Sequence, residues 1–183
     1  GLLIHQDLAF KTQITTSAGN FSFWGVGLLD RQEMAAADSA EWVSNFDRDN
    51  SQTSLYMYSS GLSHRLALNS SAYITTTLST TGNGLSHEEQ HMDYKLQPHA
   101  QSSAATDTWR YSIQSGIGLR LNKRHSNQTG FYYSQLGYDV DIEQSQAEGL
   151  KPTTMARRKG SSGLLQAYTQ SKLHPTPKIP MNV

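Results

Sequence analysis

The chain contains no cysteine, which excludes disulfide bonds and thiolate chemistry. It also lacks any run of about 18 apolar residues, so we expect no transmembrane helix. Charged residues are scarce, at 16% of the 183 residues, and the 15 acidic residues balance the 15 basic ones. A chain without net charge has no electrostatic reason to bind nucleic acid, and we expect no nucleic-acid partner.

What the sequence does contain is alternation of apolar and polar side chains. The clearest case is residues 109–121, where every second position except Ser115 is apolar: Trp109, Tyr111, Ile113, Ile117, Leu119 and Leu121. A period of two predicts a β-strand, here about twice the usual length. Segments 8–15, 56–68, 72–78 and 132–142 alternate less cleanly, and 164–173 is a further predicted strand. Residues 21–29 are apolar at both parities, so their facing stays open.

The connections between these strands are of two kinds. Short polar turns are predicted near residues 18, 70, 125 and 176, and long polar loops over about 30–53, 86–106 and 143–160. Compact soluble domains rarely contain several structureless loops of about twenty residues. Transmembrane β-barrels combine short turns at one end with long loops at the other. An antiparallel β-sandwich with extended loops is the alternative interpretation.

The prediction is therefore an all-β fold, an antiparallel up-and-down meander of about seven long strands that forms part of a transmembrane β-barrel. Residues 1–183 would be one partial barrel segment. Apolar side chains would face lipid and polar ones the lumen, because only closed ladders or helices satisfy the backbone inside a bilayer. The candidate lumen-facing residues are Lys11, Gln13, Arg65, Arg110, Gln114 and Arg120.

The stretch His87-Glu88-Glu89-Gln90-His91 matches the H-E-x-x-H pattern, which on a helix binds zinc and supplies a general base. We expect it in the second long loop, where a short helix starting at Ser86 is possible. No third ligand follows at the spacing of known zinc sites. A zinc hydrolase is thus a distant rival, and no cofactor and no metal are expected.

The loops also supply candidate ligand contacts. A brief helix is predicted within the first loop, after Asp38, and it carries Trp42 and Phe46. We take Trp42, Phe46, His87 and His91 as candidate contacts of the long loops, because binding residues concentrate on loops held by a rigid scaffold. For the two aromatic residues, packing within the loop is the default role and ligand contact is the alternative.

Three stretches carry a family resemblance: NFSFWGVGLLD, LNKRHSNQTGFYYSQLGYDVDI and SSGLLQAYTQSKLHPTPKI. They resemble strands of TonB-dependent outer-membrane receptors, most closely the Bacteroidota type. Such receptors have a plug domain inside a barrel of 22 strands. The chain shows no candidate plug and no TonB box, and it ends in Val183 where the family ends in an aromatic residue. We therefore expect an interior fragment of the barrel domain.

The resemblance implies a function without catalysis. It implies energy-coupled uptake of a scarce nutrient, such as a siderophore, haem, cobalamin or a glycan, in the outer membrane of a Gram-negative bacterium. The implied partners are outer-membrane lipid, the plug of the same parent chain, TonB and a small nutrient ligand. The alternatives are a passive porin-like or small outer-membrane barrel, and a surface-exposed β-sandwich that binds a partner.

Overall fold

The computed structural model describes residues 1–147 and 149–173, which form one antiparallel sheet of seven strands. The strands are β1 (Leu2–Thr16), β2 (Gly19–Met34), β3 (Asp49–Asn69), β4 (Ala72–Met92), β5 (Pro98–Arg120), β6 (His125–Gln144) and β7 (Thr153–Leu173). Each strand pairs with its neighbours in sequence, in the order β1 to β7. This confirms the prediction of an all-β, up-and-down meander with about seven long strands.

The turns at one end of the sheet lie where the sequence predicted them. They connect β1 to β2, β3 to β4 and β5 to β6, near residues 18, 70 and 125. Gly19 follows the first turn with a φ of 115°, which favours glycine because a Cβ is strained there. The turn predicted near residue 176 lies outside the described residues.

The loops at the other end are shorter than predicted. The connections span 35–48, 93–97 and 145–152, so the predicted loops over 86–106 and 143–160 are wrong in extent and the one over 30–53 is too long. The strands continue through polar residues there because backbone hydrogen bonds of a ladder do not depend on an apolar face. Without alternation, a sequence gives no sign of such a strand.

Two short 3₁₀ helices lie in the first of these connections, at Ser39–Glu41 and Asn45–Arg48. Asp38 caps the first by accepting a hydrogen bond from the Ala40 amide at 3.0 Å. The brief helix predicted after Asp38 is therefore present, but it is interrupted at Trp42, which is extended. Among the described residues, no helix is long and apolar enough to cross a membrane.

Strand register sorts the side chains onto two faces. The polar face contains all six candidate lumen residues, since register relates Lys11, Arg65 and Gln114 through paired positions of β1 to β5. The apolar face carries Phe10, Phe23, Leu62, Leu78, Ile113, Ile117, Phe131 and Leu165. Paired residues of antiparallel strands share a face, and successive residues alternate between faces.

The facing of one segment differs from the prediction, and the facing of another, which the sequence left open, is now defined. Over 132–142 the sequence suggested that Leu136, Tyr138 and Val140 belong with the apolar set, but register puts them on the polar face. Phe131 and Tyr133 take the apolar face instead, because β6 is apolar at different parities in its two parts. In 21–29, the odd-numbered residues lie on the apolar face and the even-numbered ones on the polar face.

One row of paired residues crosses the whole sheet and divides it. The row is Leu8, Gly27, Tyr58, Gly82, Trp109, Gly137 and Ser161. We call the part between this row and the short turns the turn half, which includes the row itself and comprises residues 8–27, 58–82, 109–137 and 161–173. The loop half is the remainder of the described chain, at 1–7, 28–57, 83–108, 138–147 and 149–160.

Aromatic rings cover glycines across every strand pair. Each ring lies on the glycine directly opposite it in the next strand, in the pairs Phe10–Gly25, Trp24–Gly61, Tyr58–Gly82, Tyr73–Gly118, Trp109–Gly137 and Tyr138–Gly160. A Cβ at these glycines would approach ring atoms to between 2.0 and 2.7 Å. Glycine in these strands therefore marks a close approach, in which the ring shields the bare backbone.

The sheet has no second layer. No hydrophobic residue of the described chain is buried, and β1 and β7 pair with nothing on their outer edges within the described residues. The chain exposes 13412 Å² for a mass of 20.3 kDa, whereas a compact monomer of that mass exposes roughly 8,800 Å². Both faces of the sheet are thus open to whatever surrounds it.

Candidate functional site

The first and third connections of the loop half meet around a pocket. Its volume is about 330 Å³, and its lining includes Phe46, Asp49, His91, His99 and Ser145. The lining comes from the first connection, from the paired ends of β3, β4 and β5, and from the third connection. We call it the loop-end pocket, and it contains two of the four predicted loop contacts, Phe46 and His91.

An arginine joins the first two connections beside this pocket. The guanidinium of Arg48 lies 5.5 Å from the ring centre of Trp42 and 4.2 Å from that of Tyr94. Its Nε donates a hydrogen bond to the Met92 carbonyl at 2.7 Å, and only 3% of the residue is exposed. Cation–π contacts are strongest where the cation is shielded from water. Arg48 therefore fixes the loop 35–48 against the turn 93–97.

Trp42 has a structural role in this arrangement. Its indole Nε1 donates a hydrogen bond to the Ala37 carbonyl at 2.9 Å, and its ring packs edge-on against Tyr94 with centroids 6.4 Å apart. These contacts engage both the polar edge and the face of the indole. The loop-packing role for Trp42 agrees with this geometry, since the ring lies beside the pocket rather than in its lining.

Exposed apolar side chains occur on the first two connections, and one of them, Phe46, lines the pocket. Phe46 is 85% exposed, Val43 96% and Tyr94 80%. Apolar surface clustered at a loop tip is a common feature of binding sites. Phe46 both lines the pocket and points into solvent, so it is available to contact a bound molecule.

Two histidine–carboxylate pairs line the base of the same region. His91 Nδ1 lies 2.5 Å from Asp49 Oδ1, and His99 Nε2 lies 3.1 Å from Asp93 Oδ2. Strand register brings these side chains together, because His91 is opposite both Asp49 in β3 and His99 in β5. His91 and His99 thus give the pocket lining ring nitrogens whose donor or acceptor role depends on the imidazole tautomer.

Carboxylates also order the first two connections, at 35–48 and 93–97. The backbone amide of Gln97, followed by the His99 side chain and the Lys95 amide, lowers the pKa of Asp93 to about 2. The backbone amides of Ser44 and Val43 and the Ser44 hydroxyl lower the pKa of Asp47. Both side chains accept backbone hydrogen bonds as anions, which favours the ionised form. The loop end is thus built to be ordered while these carboxylates are charged.

The H-E-x-x-H stretch is not in a loop and not on a helix, so its predicted placement is wrong. It lies on β4, where His87 contacts the Thr53 hydroxyl at 2.9 Å. Four residues of a strand span about 13 Å, too far for His87 and His91 to share one zinc ion. Glu88 lies on the opposite face from both. In the part of the chain that the structure describes, no three metal-binding side chains lie together.

The sequence did not identify several residues of the loop-end pocket and its supports: Arg48, Asp49, Tyr94 and His99. None of them belongs to a motif, and they come together only through the pairing of β3, β4 and β5. His87, by contrast, lies four residues along β4 from His91, outside the pocket lining. Alternating polarity could not supply the register that decides which side chains meet.

The polar face carries the six candidate lumen residues, all of them exposed. Arg65 lies over the Tyr73 ring at 3.9 Å, and Gln114 donates a hydrogen bond to the Tyr168 hydroxyl at 3.2 Å. Small hydroxyl residues fill the space between them, as in the pair Ser79–Ser112 at 2.6 Å. Such a surface is well hydrated and offers hydrogen bonds along the length of the strands.

A second cavity opens on this face at the short turns. Its volume is about 850 Å³, and Arg65, Arg120, Lys123 and Lys172 contribute to its lining. No carboxylate of the described residues lines it. We call it the turn-end cavity.

Comparison with known proteins finds no family model that matches the chain and no curated protein that matches it.

Proposed function

We propose that the chain is part of a transmembrane β-barrel of the bacterial outer membrane, with its apolar face toward lipid and its polar face toward the lumen. The observation that carries the proposal is the apolar band on one face of a single-layer sheet. On β5 the band runs from Trp109 to Leu119, which is about 33 Å along the strand. At the usual strand tilt of roughly 40° this height is about 25 Å, the thickness of the apolar band in such barrels.

Aromatic residues mark one edge of that band. Tyr56, Tyr58, Trp109 and Tyr111 lie on the apolar face at or next to the dividing row, and Trp109 packs against Tyr111 with ring centroids 5.2 Å apart. Aromatic side chains collect at membrane–water interfaces because one part of the ring is apolar and another is wet. The dividing row would therefore lie at the level of the lipid headgroups.

Beyond the aromatic edge the same face becomes charged. Lys159 pairs with Asp139 at 3.0 Å, and Arg157 with Asp141 at 2.8 Å. Charged residues facing outward in the middle of a bilayer destabilise a barrel, whereas near its interfaces they do so little. The loop half would then project out of the membrane, and the loop-end pocket would lie outside the cell.

The finer proposal is an energy-coupled receptor of the TonB-dependent type. Its support is the sequence resemblance and the presence of a pocket with exposed Phe46 at the loop end. In this role the loop-end pocket contacts the nutrient, and the polar face contacts the plug. Siderophore, haem, cobalamin and glycan are the ligand classes that the resemblance implies.

Intrinsic tryptophan fluorescence tests the membrane placement, because the three tryptophans occupy different sites. Trp109 is on the apolar face, Trp24 on the polar face and Trp42 in a loop. Three single-tryptophan variants, with the other two changed to phenylalanine, would be reconstituted into vesicles with brominated acyl chains. We expect quenching of Trp109, strongest when the bromines lie near the headgroup end of the acyl chain, and little quenching of Trp42. Solubility without detergent together with unquenched Trp109 would favour the surface-exposed sandwich and end the proposal.

Energy dependence separates a receptor from a passive porin-like barrel. Cells that carry the full gene would be compared with cells that lack it, during growth on a limiting supply of each candidate nutrient. A receptor predicts uptake that stops when a protonophore removes the proton-motive force. Uptake that continues after that treatment would support the porin-like alternative, and it would leave the barrel itself in place.

A further inference from the structure

Although the net charge of the chain is zero, its acidic residues are absent from one half of the sheet. The turn half contains no Asp and no Glu, and all 15 acidic residues of the sequence lie outside it. The turn half nevertheless carries seven basic residues: Lys11, Arg65, Arg110, Arg120, Lys123, Arg124 and Lys172. None of the ion pairs among the described residues includes any of these seven.

The basic side chains of the turn-half strands all point the same way. Register puts Lys11, Arg65, Arg110, Arg120 and Lys172 on the polar face, and they come from β1, β3, β5 and β7. We call these five residues the basic array. Alternate strands of a sheet lie about 10 Å apart, so the charges are spread evenly across the face. Positive charges that share one face produce a positive electrostatic potential there, and this potential attracts an anionic partner.

We propose that the basic array binds an acidic protein surface, namely that of the domain that fills the lumen of the barrel. This inference rests on the proposed function, and it adds the chemistry of the partner. The carboxylates that would neutralise these residues cannot come from the turn half of this chain, since it has none. In this proposal they come from the molecule that covers the polar face.

The width of the array decides between a protein surface and a small anion. Arg120 and Lys172 share a row two strands apart, which is about 10 Å. Arg65 lies four strands from Lys172, or about 19 Å across the sheet. A single phosphate can contact two of these groups at most, whereas an acidic surface with carboxylates on several elements can meet them all. The turn-end cavity of about 850 Å³ leaves room for such side chains.

The test uses the full chain in nanodiscs of zwitterionic phosphatidylcholine and a fluorescein-labelled peptide of twelve glutamates. Fluorescence anisotropy gives the Kd of the peptide. The variant Arg65→Gln, Arg120→Gln, Lys172→Gln removes three charges of the array. We expect its Kd to rise by about tenfold or more, and the binding of the wild type to weaken with salt.

The matched control is Arg157→Gln, Arg158→Gln, Lys159→Gln, which removes the same number of charges from the loop half. We expect it to change the Kd by less than about twofold, because these residues do not belong to the array and two of them pair with carboxylates. An equal loss in both variants, or absence of peptide binding, would overturn the proposal. Displacement of the peptide by low millimolar inorganic phosphate would also overturn it and indicate a small-anion site.

The two proposals fail separately. Brominated-lipid quenching of Trp109 without peptide binding would retain the barrel and remove the acidic partner. Peptide binding by the array in a chain that is soluble without detergent would retain the acidic partner and remove the barrel. In that case the acidic partner would belong to a protein complex outside the membrane.

Discussion

The turn half and the loop half of the sheet are continuous strands, yet they differ in nearly every chemical respect. In the turn half, apolar and polar side chains alternate, the acidic residues are absent and the basic residues of the strands share one face. In the loop half, charges of both signs occupy both faces, and the apolar face gives way to ion pairs such as Lys159–Asp139. One backbone ladder therefore supports two surfaces that suit different surroundings.

The two halves are stabilised in different ways. The turn half needs an environment that covers its apolar face, since the sheet itself buries none of it. The loop half instead contains local networks, among them the Arg48 contacts with Trp42 and Tyr94 and the two histidine–carboxylate pairs. Substitutions in the dividing row and at the loop end can test whether the two halves are stabilised separately.

The largest expected effect comes from the dividing row itself. A Cβ on Gly137 would meet the Trp109 ring at 2.0 Å, so Gly137→Ala forces the ring away and should cost about 1–3 kcal/mol. Gly27→Ala in the same row is the control, since its Cβ would find its nearest atom at 3.9 Å. Urea unfolding in detergent, followed by tryptophan fluorescence, measures both. Equal stability of the two variants would mean that the ring–glycine contacts do not limit the sheet.

A smaller and strictly local effect is expected at the loop end. Arg48→Met removes the guanidinium between Trp42 and Tyr94 and leaves the Met92 carbonyl without that donor. The local opening free energy should fall by about 1–3 kcal/mol, which raises the rate of proteolysis within 35–48 at least about fivefold. Arg31→Met is the control, because the Arg31 side chain is 50% exposed on β2. Unfolding of the turn half alongside the loop would contradict the independence of the two halves.

The smallest effect is a pH dependence of the turn 93–97. The folded-state pKa of Asp93 is lowered to about 2 by the amides of Gln97 and Lys95 and by His99. Its ionised form therefore stabilises the turn above the ordinary carboxyl pKa of about 4, and that stabilisation is lost as the pH falls toward 2. An NMR titration of the Gln97 amide should show the change in this window. Asp93→Asn should abolish it, and a midpoint near 4 in the wild type would show that the hydrogen bonds do not form.

The sequence predicted the turn half well and the loop half poorly, for one physical reason. Residues 109–121 alternate because one face of the strand is apolar, and this pattern identified β5 and the common face of Arg110, Gln114 and Arg120. Residues 98–108 form the same strand with polar side chains on both faces, so no pattern revealed them. Strand ladders form through the backbone, which leaves no trace in the side-chain sequence when both faces are wet.

The candidate site failed to emerge from the sequence for a different reason. The H-E-x-x-H stretch has meaning only at helical spacing, and on β4 the spacing of its histidines no longer brings them together. His91 matters through Asp49 and His99, which lie far along the chain and are adjacent only by register. Register depends on where each turn and each bulge falls, and a shift of one residue moves a side chain to the other face.

The order of the strands has a consequence for how the sheet forms. Each of the seven described strands pairs only with the described strands that precede and follow it in the chain, so none of these pairings has to wait for a distant segment to arrive. Closing each successive hairpin costs little more loop entropy than the one before it. Assembly can therefore proceed one strand at a time, with the most recent edge acting as the template for the next strand.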